Sequence, residues 1–497
     1  MNAFSRRGAC PALSAPMQTG DGFLVRLNPV AGGLSPKSLI GLGESALRHG
    51  NGIMEVTARG SLQIRGLTAE SARLLAAEVD ALGIAVRSGV SVETGPLTGI
   101  DPQEIADPRL LADRIRVAIE EARLTARLGP KVSVVVDGGG QLTMDRVTAD
   151  VRLEAVRAGE DIRWSVSVAG DARGARPLAT VDDDAARDIA VAALRMVAEK
   201  GREAHTRDLS ARQLASLAGW HSFAPPPVLP DISPAWGEIG SFAAGSLSAT
   251  NSPIPTSAIG ETDGASLISP QVGEMSGRTE GGAVERLRSP IGLFNLGKSH
   301  ALGIGLPFGS MPAQNLIDLA TRASNLGATE IRLAPGRALL VLGLSPSVCV
   351  SLQASAAALG FVTSAADPRT RIAACPGTPA CASGRIATRA IAEVIAKQSA
   401  DLFDGSLTLH ISGCAKGCAH PGLATLTLVG DENGAGLVVD GTAKALPAGY
   451  RPGYDAARGV AGIAAAIHDA RHQGETAAAC LARLGAAMIA ELYRRNQ

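Results

Sequence analysis

Aromatic residues are scarce: three Trp, three Tyr and eight Phe in 497 residues. So little ring surface offers no stacking platform for single-stranded nucleic acid. An excess of either charge is also missing, with 47 basic and 47 acidic side chains. No global pull toward nucleic acid or an anionic membrane is expected. Long apolar runs are absent too, so no transmembrane helix is expected. Arg6-Arg7 stands near the start, but the apolar stretch that an export signal needs does not follow. These absences together predict a cytoplasmic protein in a reducing compartment, with thiols free for metal. The core must be built from Ala, Leu, Val and Ile, and the length allows several domains.

What is present is a concentration of cysteine. Four of the seven cysteines lie between Arg371 and Pro421: Cys375 and Cys381 spaced C-x5-C, Cys414 and Cys418 spaced C-x3-C. Disulfides suit small secreted domains. Structural zinc favours shorter knuckles, which C-x3-C satisfies and C-x5-C does not. A 4Fe–4S cluster takes four thiolates delivered by loops. Gly377, Gly384, Gly413 and Gly417 suit loops that pass close to a bulky inorganic core. Pro376, Pro379 and Pro421 stiffen them. Cluster, zinc and plain buried thiols are the three readings, in that order. Cys349 and Cys480 read as helix core, and Cys10 as a lone thiol.

The chain also repeats itself. Residues 22–28 read as a strand, 36–49 as a helix opened by Ser35 and Pro36 and closed by Gly50, 53–57 and 61–65 as strands, and 69–82 as a helix. A short strand is expected at 84–88. The same order recurs at 300–307, 311–326, 329–333, 338–342 and 347–359. This is the split βαβ, ferredoxin-like plan, twice over. Each unit is followed by mixed segments: a helix within 95–123, strands at 131–136 and 162–168 and a helix at 182–201 in the first half; a helix at 384–399, strands at 407–411, 424–429 and 436–439 and two final helices in the second. The fold expected is α+β: pseudo-twofold duplicated ferredoxin-like halves, each followed by an α+β domain. The boundaries are 1–90, 91–222, 289–365 and 366–497. Residues 223–288, rich in Pro, Ser, Gly and Thr, read as a linker. The run Asp137 to Gly140 reads as a turn, with an anion cradle as the alternative.

The duplicated plan, the two cysteine pairs and Thr57-Ala58-Arg59-x3-Gln63 together resemble the sulfite and nitrite reductase family. The resemblance implies two pseudosymmetric halves, a 4Fe–4S cluster on Cys375, Cys381, Cys414 and Cys418, and sirohaem bridged through the last cysteine. It implies that Arg59 faces a tetrapyrrole. Family members place two lysines on a small anion from a P-R-K-F-K segment. The matching stretch, Gly129 to Ser133, keeps Lys131 and has Ser133 for the other lysine. The family's N-R-N segment has no counterpart at 90–96. Three stretches, from RRGACPALSAP through FNLGKSHALGIGLPFGSM to HISGCAKGCAHPG, resemble a branch acting in aerobic cobalamin synthesis. For that branch the implied reaction is oxygen-dependent hydroxylation of precorrin-3A at C20 with γ-lactone formation. The implied cofactors are the cluster and a mononuclear non-haem iron, with reducing equivalents from NADH or another donor arriving indirectly. Sulfite or nitrite reduction with sirohaem is the alternative. Precorrin-3A is a polycarboxylate, which arginine forks hold well. Arg59 and Lys131 are the expected catalytic cations. Arg59, Gln63, Arg65, Arg332 and Arg337 are the expected tetrapyrrole-binding set, with Arg26 beside them. His410 and His420, flanking the second cysteine pair, are candidates for the non-haem iron, as are His49 and His300; a structural role is the alternative for each. Partners expected are precorrin-3A, O2 and an electron donor, and neither nucleic acid nor membrane.

Overall fold

The computed structural model describes residues 11–30, 32–219 and 288–495. Arg6, Arg7, Cys10 and all but the last residue of the expected linker lie outside them.

In the first half, β1 (Met17–Thr19), β2 (Gly22–Leu27), β3 (Gly33–Leu34), α1 (Pro36–His49), β4 (Ile53–Val56), β5 (Leu62–Leu67) and α2 (Ala69–Ala81) follow in order. Helix α1 opens where Ser35 accepts the Ser38 amide at 3.0 Å, with Pro36 behind it. Helix α2 opens on a reciprocal Thr68–Ser71 capping box. The expected strand at 84–88 is only a single bridge, Pro29 to Val86. The next domain holds β6 (Ser91–Thr94), α3 (Arg109–Glu121), β7 (Ser133–Asp137), β8 (Ala149–Ala158), β9 (Asp161–Gly170), β10 (Arg176–Val181), α4 (Asp183–Lys200) and α5 (Ala211–Ala218).

The second half repeats this series. It runs β11 (Gly292–Asn295), β12 (His300–Gly305), β13 (Ser310–Pro312), α6 (Ala313–Asn325), β14 (Glu330–Ala334), β15 (Ala338–Leu344) and α7 (Pro346–Ala358). Then come β16 (Ile372–Ala374), α8 (Thr388–Gln398), β17 (Leu409–Ser412), β18 (Ala424–Asp431), β19 (Gly434–Gly441), β20 (Gly449–Arg451), α9 (Ala456–Ala470) and α10 (Ala477–Arg494), broken at Gly485. The two C-terminal sheets, β6 to β10 and β16 to β20, share one pattern of two parallel pairings followed by two antiparallel ones. Helix α8 begins four residues later than expected, because 384–387 turn back over the cysteine loop.

The ferredoxin-like sheets carry a feature that periodicity does not announce. Their orders are β1-β2-β5-β4-β13 and β11-β12-β15-β14-β3. Each half lends its third strand to the other. Met311 pairs with Met54, and Leu34 with Ile331. Helices α1 and α6 cross closely at Gly43, where a Cβ would stand 2.5 Å from Ile317. One apolar core draws on both halves, including Leu39, Leu42, Met54, Leu316, Leu319 and Val341, all at most 1% exposed. At about 1.5–3 kcal/mol per fully buried large side chain, this shared layer binds the halves into one unit. The C-terminal sheets are each covered on one face by helices, α3 and α4 on the first, α8 to α10 on the second. The opposite faces turn to the loops that build the site. Among the described residues no helix is long and apolar enough to cross a membrane.

Candidate functional site: two cysteine loops and the arginines that hold them

Cys375 leaves the end of β16, and Cys414 follows the end of the parallel β17. Adjacent parallel strands therefore deliver both loops to one sheet edge. The loops cross at three glycines. A Cβ on Gly413 would stand 3.2 Å from the Cα atoms of both Gly377 and Gly384. Gly377 has φ +62° and no room for a side chain, being hemmed in by Thr388 and the Ile386 carbonyl. The Gly413 amide donates to the Cys375 sulfur at 3.1 Å, and Arg385 N donates to the Gly413 carbonyl at 2.8 Å. The Thr388 hydroxyl donates to the Cys375 carbonyl, and Lys416 reaches Ser383 across the loops at 2.7 Å. Cys375 is buried, Cys381 and Cys414 are half-buried and Cys418 is exposed. The Cys418 sulfur is nonetheless partly covered. Burial first, then the nearby sulfurs of Cys414, Cys375 and Cys381, push its thiol pKa up. All four thiols thus share one neighbourhood.

Among the described residues no three His, Cys, Asp or Glu side chains converge on a single ion. A cubane cluster does not need them to, because each of its four irons takes its own thiolate. The small-residue crossing and the amide aimed at Cys375 fit a cluster. A non-haem iron with two histidines and a carboxylate finds no such trio among the described residues. His410 and His420 are only a pair, with ring centroids 5.8 Å apart and edge-on. His410 is fully buried with neither ring nitrogen hydrogen-bonded, and burial, His420 and Arg337 hold its pKa down at about 4. His420 donates through Nε2 to the Leu423 carbonyl at 2.9 Å. His49 lies elsewhere, paired with Glu78.

The expected arginines hold loops. Arg59 sits in the β4–β5 turn, which touches the equivalent β14–β15 turn through Gly336 N and the Ala58 carbonyl, 2.9 Å apart. It donates to the Thr148 carbonyl and to Ser133 Oγ, both at 2.9 Å, and lies 3.4 Å from Glu93. About a third of its side chain stays exposed. The serine standing for the second lysine is therefore an arginine partner. Lys131 is exposed in the turn just before β7. Arg337, from the other turn, has φ +65° and donates to the Ala419 carbonyl at 2.8 Å, between Cys418 and His420. Arg332 donates to the Pro96 and Thr98 carbonyls at 3.2 and 3.3 Å and pairs with Glu330.

Arg65 is 3% exposed and has its donors on protein atoms. It forks onto Asp21 at 2.9 and 3.0 Å, approaches Glu55 at 3.5 Å and donates to the Ala380 carbonyl at 2.6 Å. Glu55 also takes Arg389 of α8 at 2.6 Å. Gln63 donates to Glu55 at 3.1 Å and accepts from Arg26 at 2.7 Å, the amide orientation that satisfies both neighbours. Reading the sequence alone misses Asp21, Glu55 and Arg389. The available signal was polar residues at alternate positions of a strand, Gln63 and Arg65, between buried apolar ones. Asp137 to Gly140 is a turn: Asp137 accepts the Gly139 amide at 3.0 Å, and Gln141 closes onto Asp101.

Residues 15–82 match the nitrite/sulfite reductase ferredoxin-like half domain. The structure of the Mycobacterium tuberculosis NirA protein covers 93% of this chain and 83% of its own, with a TM-score of 0.65 at 17% identity, so the two share a fold. A ferredoxin–nitrite reductase of Synechococcus elongatus is 23% identical over 87% of this chain and 81% of its own. A precorrin-3B synthase of a Sinorhizobium species is 36% identical over 99% of this chain and 96% of its own. With the duplicated halves and the exchanged strands now placed, this chain belongs to the precorrin-3B synthase family within the nitrite and sulfite reductase fold.

Proposed function

We propose that the protein is an oxygen-dependent precorrin-3B synthase, which hydroxylates precorrin-3A at C20 and closes a γ-lactone in aerobic cobalamin synthesis. The observation that carries this reading is kinship with a precorrin-3B synthase along the whole chain, through both cysteine loops. In this reading one oxygen atom enters the substrate and the other leaves as water, taking up two protons and two electrons from NADH or another donor. Cys375, Cys381, Cys414 and Cys418 hold a 4Fe–4S cluster. When bound, that cluster supplies electrons one at a time. Arg59, about a third exposed, and Lys131, exposed, are the two expected catalytic cations, and they hold substrate carboxylates. Arg65, Gln63, Arg332 and Arg337 shape the same site from behind, through the loops they anchor. Ser133 at the second lysine position, bonded to Arg59, removes a cation that a small anion would need.

Anaerobic and aerobic incubation of the reduced protein with precorrin-3A tests this. Conversion is expected only with O2; equal conversion without it overturns the assignment. A sirohaem absorption band together with reduction of nitrite or sulfite would instead establish the reductase reading.

A further inference from the structure

The two halves differ on the faces of their ferredoxin-like sheets. Counted from the matching left-handed glycines, Gly66 and Gly343, Gln63 and Arg65 correspond to Leu340 and Leu342. Arg26 and Glu55 correspond to Gly303 and Arg332. In the second half, Leu340 and Leu342 pack on Leu97 and Leu142, beside a loop without cysteine. In the first half the same positions carry a buried charged network, and the loop against them is the one ending in Cys381. The network therefore accompanies the cysteines.

Its contacts are specific. The Ala380 carbonyl, one residue before Cys381, accepts from Arg65 at 2.6 Å and from Gly20 N at 3.2 Å, both in the first half. A Cβ on Gly20 would meet the Pro379 carbonyl at 2.5 Å, so the β1–β2 turn lies directly on the loop. Arg65 and Arg389 share Glu55, which fastens the base of the same loop at the start of α8. Arg65 also feels Cys381, which with Glu55 and Asp21 raises its pKa against burial. Asp21 stays ionised despite burial because Arg65 and Thr19 bond to it.

We propose that Arg65, clamped by Asp21 and Glu55, is a positioning residue that fixes the Cys381 loop and sets the charge felt by the metal group the loop holds. The inference rests on the cluster reading of the four cysteines. A buried cation beside the thiolates stabilises the more negative, reduced state, and net charge is one of the levers on cluster potential. Neutralising Arg65 leaves Asp21 and Glu55 uncompensated and favours the oxidised state. Neutralising Asp21 does the reverse.

The test is a spectroelectrochemical titration of the purified holoprotein, preceded by iron and sulfide counts. R65Q should lower the reduced-to-oxidised ratio at fixed potential by about tenfold, about −59 mV for one electron. D21N should raise it. R65K keeps the charge but loses the fork, so its potential should stay near wild type while a chelator strips its iron faster. If R65Q does not fold, D21N and R65K decide. Potentials of R65Q and D21N that stay at the wild-type value, or shift in the same direction, overturn the inference. A wild-type protein without iron and sulfide instead overturns the cysteine assignment, and this inference falls with it.

Discussion

Arg59 and Arg337 leave two turns that touch each other, and each ends on a carbonyl in the loop that precedes the third strand of its own C-terminal sheet, Thr148 before β8 and Ala419 before β18. Arg337 is enclosed, and burial and Arg389 lower its pKa. Arg59 keeps part of its surface open, which suits it to a carboxylate. A charge-assisted hydrogen bond is worth about 1.5–3 kcal/mol, so Arg59→Gln should weaken precorrin-3A binding roughly tenfold to hundredfold, measured by anaerobic equilibrium titration. Unchanged affinity would remove Arg59 from the site. Cys414→Ser should abolish bound iron and sulfide; an intact cluster would undo the ligand set. At this scale the cysteines and the T-x-R-x3-Q motif were legible because each is local in sequence. The rest of the Arg65 network was not, because Asp21 and Glu55 meet Arg65 only when separate strands pair into a sheet, and Arg389 joins them only from the other half.

Among elements, α10 shows how a helix end is completed from outside. The Ala477 amide donates to Asp404 at 2.8 Å, Ala478 to Ser406 at 3.1 Å and Ala479 to Thr476 at 3.2 Å. Burial alone would raise the Asp404 pKa, yet the Ser406 hydroxyl, the Ala477 and Ser406 amides and Arg471 hold it at about 2. A depressed carboxylate pKa contributes stability that is present above its ordinary value of 3.8 and is lost as pH falls through about 2. Asp404→Ala should therefore cost on the order of 1–2 kcal/mol at pH 7, with the gap to wild type closing near pH 2; thermal unfolding across that range checks it. A gap that persists at pH 2 would show the loss to be packing. Most helices and the strand at 162–168 were readable from caps and periodicity, whereas β8, ten residues long, was not singled out. The exchanged strands were not: β3 and β13 are two and three residues long, and their partners belong to the other half.

For the whole molecule, strand exchange and the common core make each half incomplete alone. Residues 1–221 and 288–497 produced as separate chains should assemble one-to-one when co-expressed and fail to fold singly, as size-exclusion and circular dichroism would report. A first half that is monomeric and cooperatively folded would show the exchange to be dispensable. The duplication itself was legible, since both copies keep the same order of helices and strands. The copies also differ at the cysteine loop: Gly95-Pro96 stands where Cys375-Pro376 does, and Gln141 closes onto Asp101 in the first copy's loop.

The exchanged strands also speak to origin. A closed twofold pair that swaps a short element is what a homodimer makes at low cost, and joining its two chains end to end would yield the arrangement of β3 and β13. In such a dimer both chains come from one gene, so every substitution would appear twice and a cysteine site in one copy would be matched in the other. Fusion would let the copies diverge, so that one could lose its thiols while the exchanged strands still hold both in place.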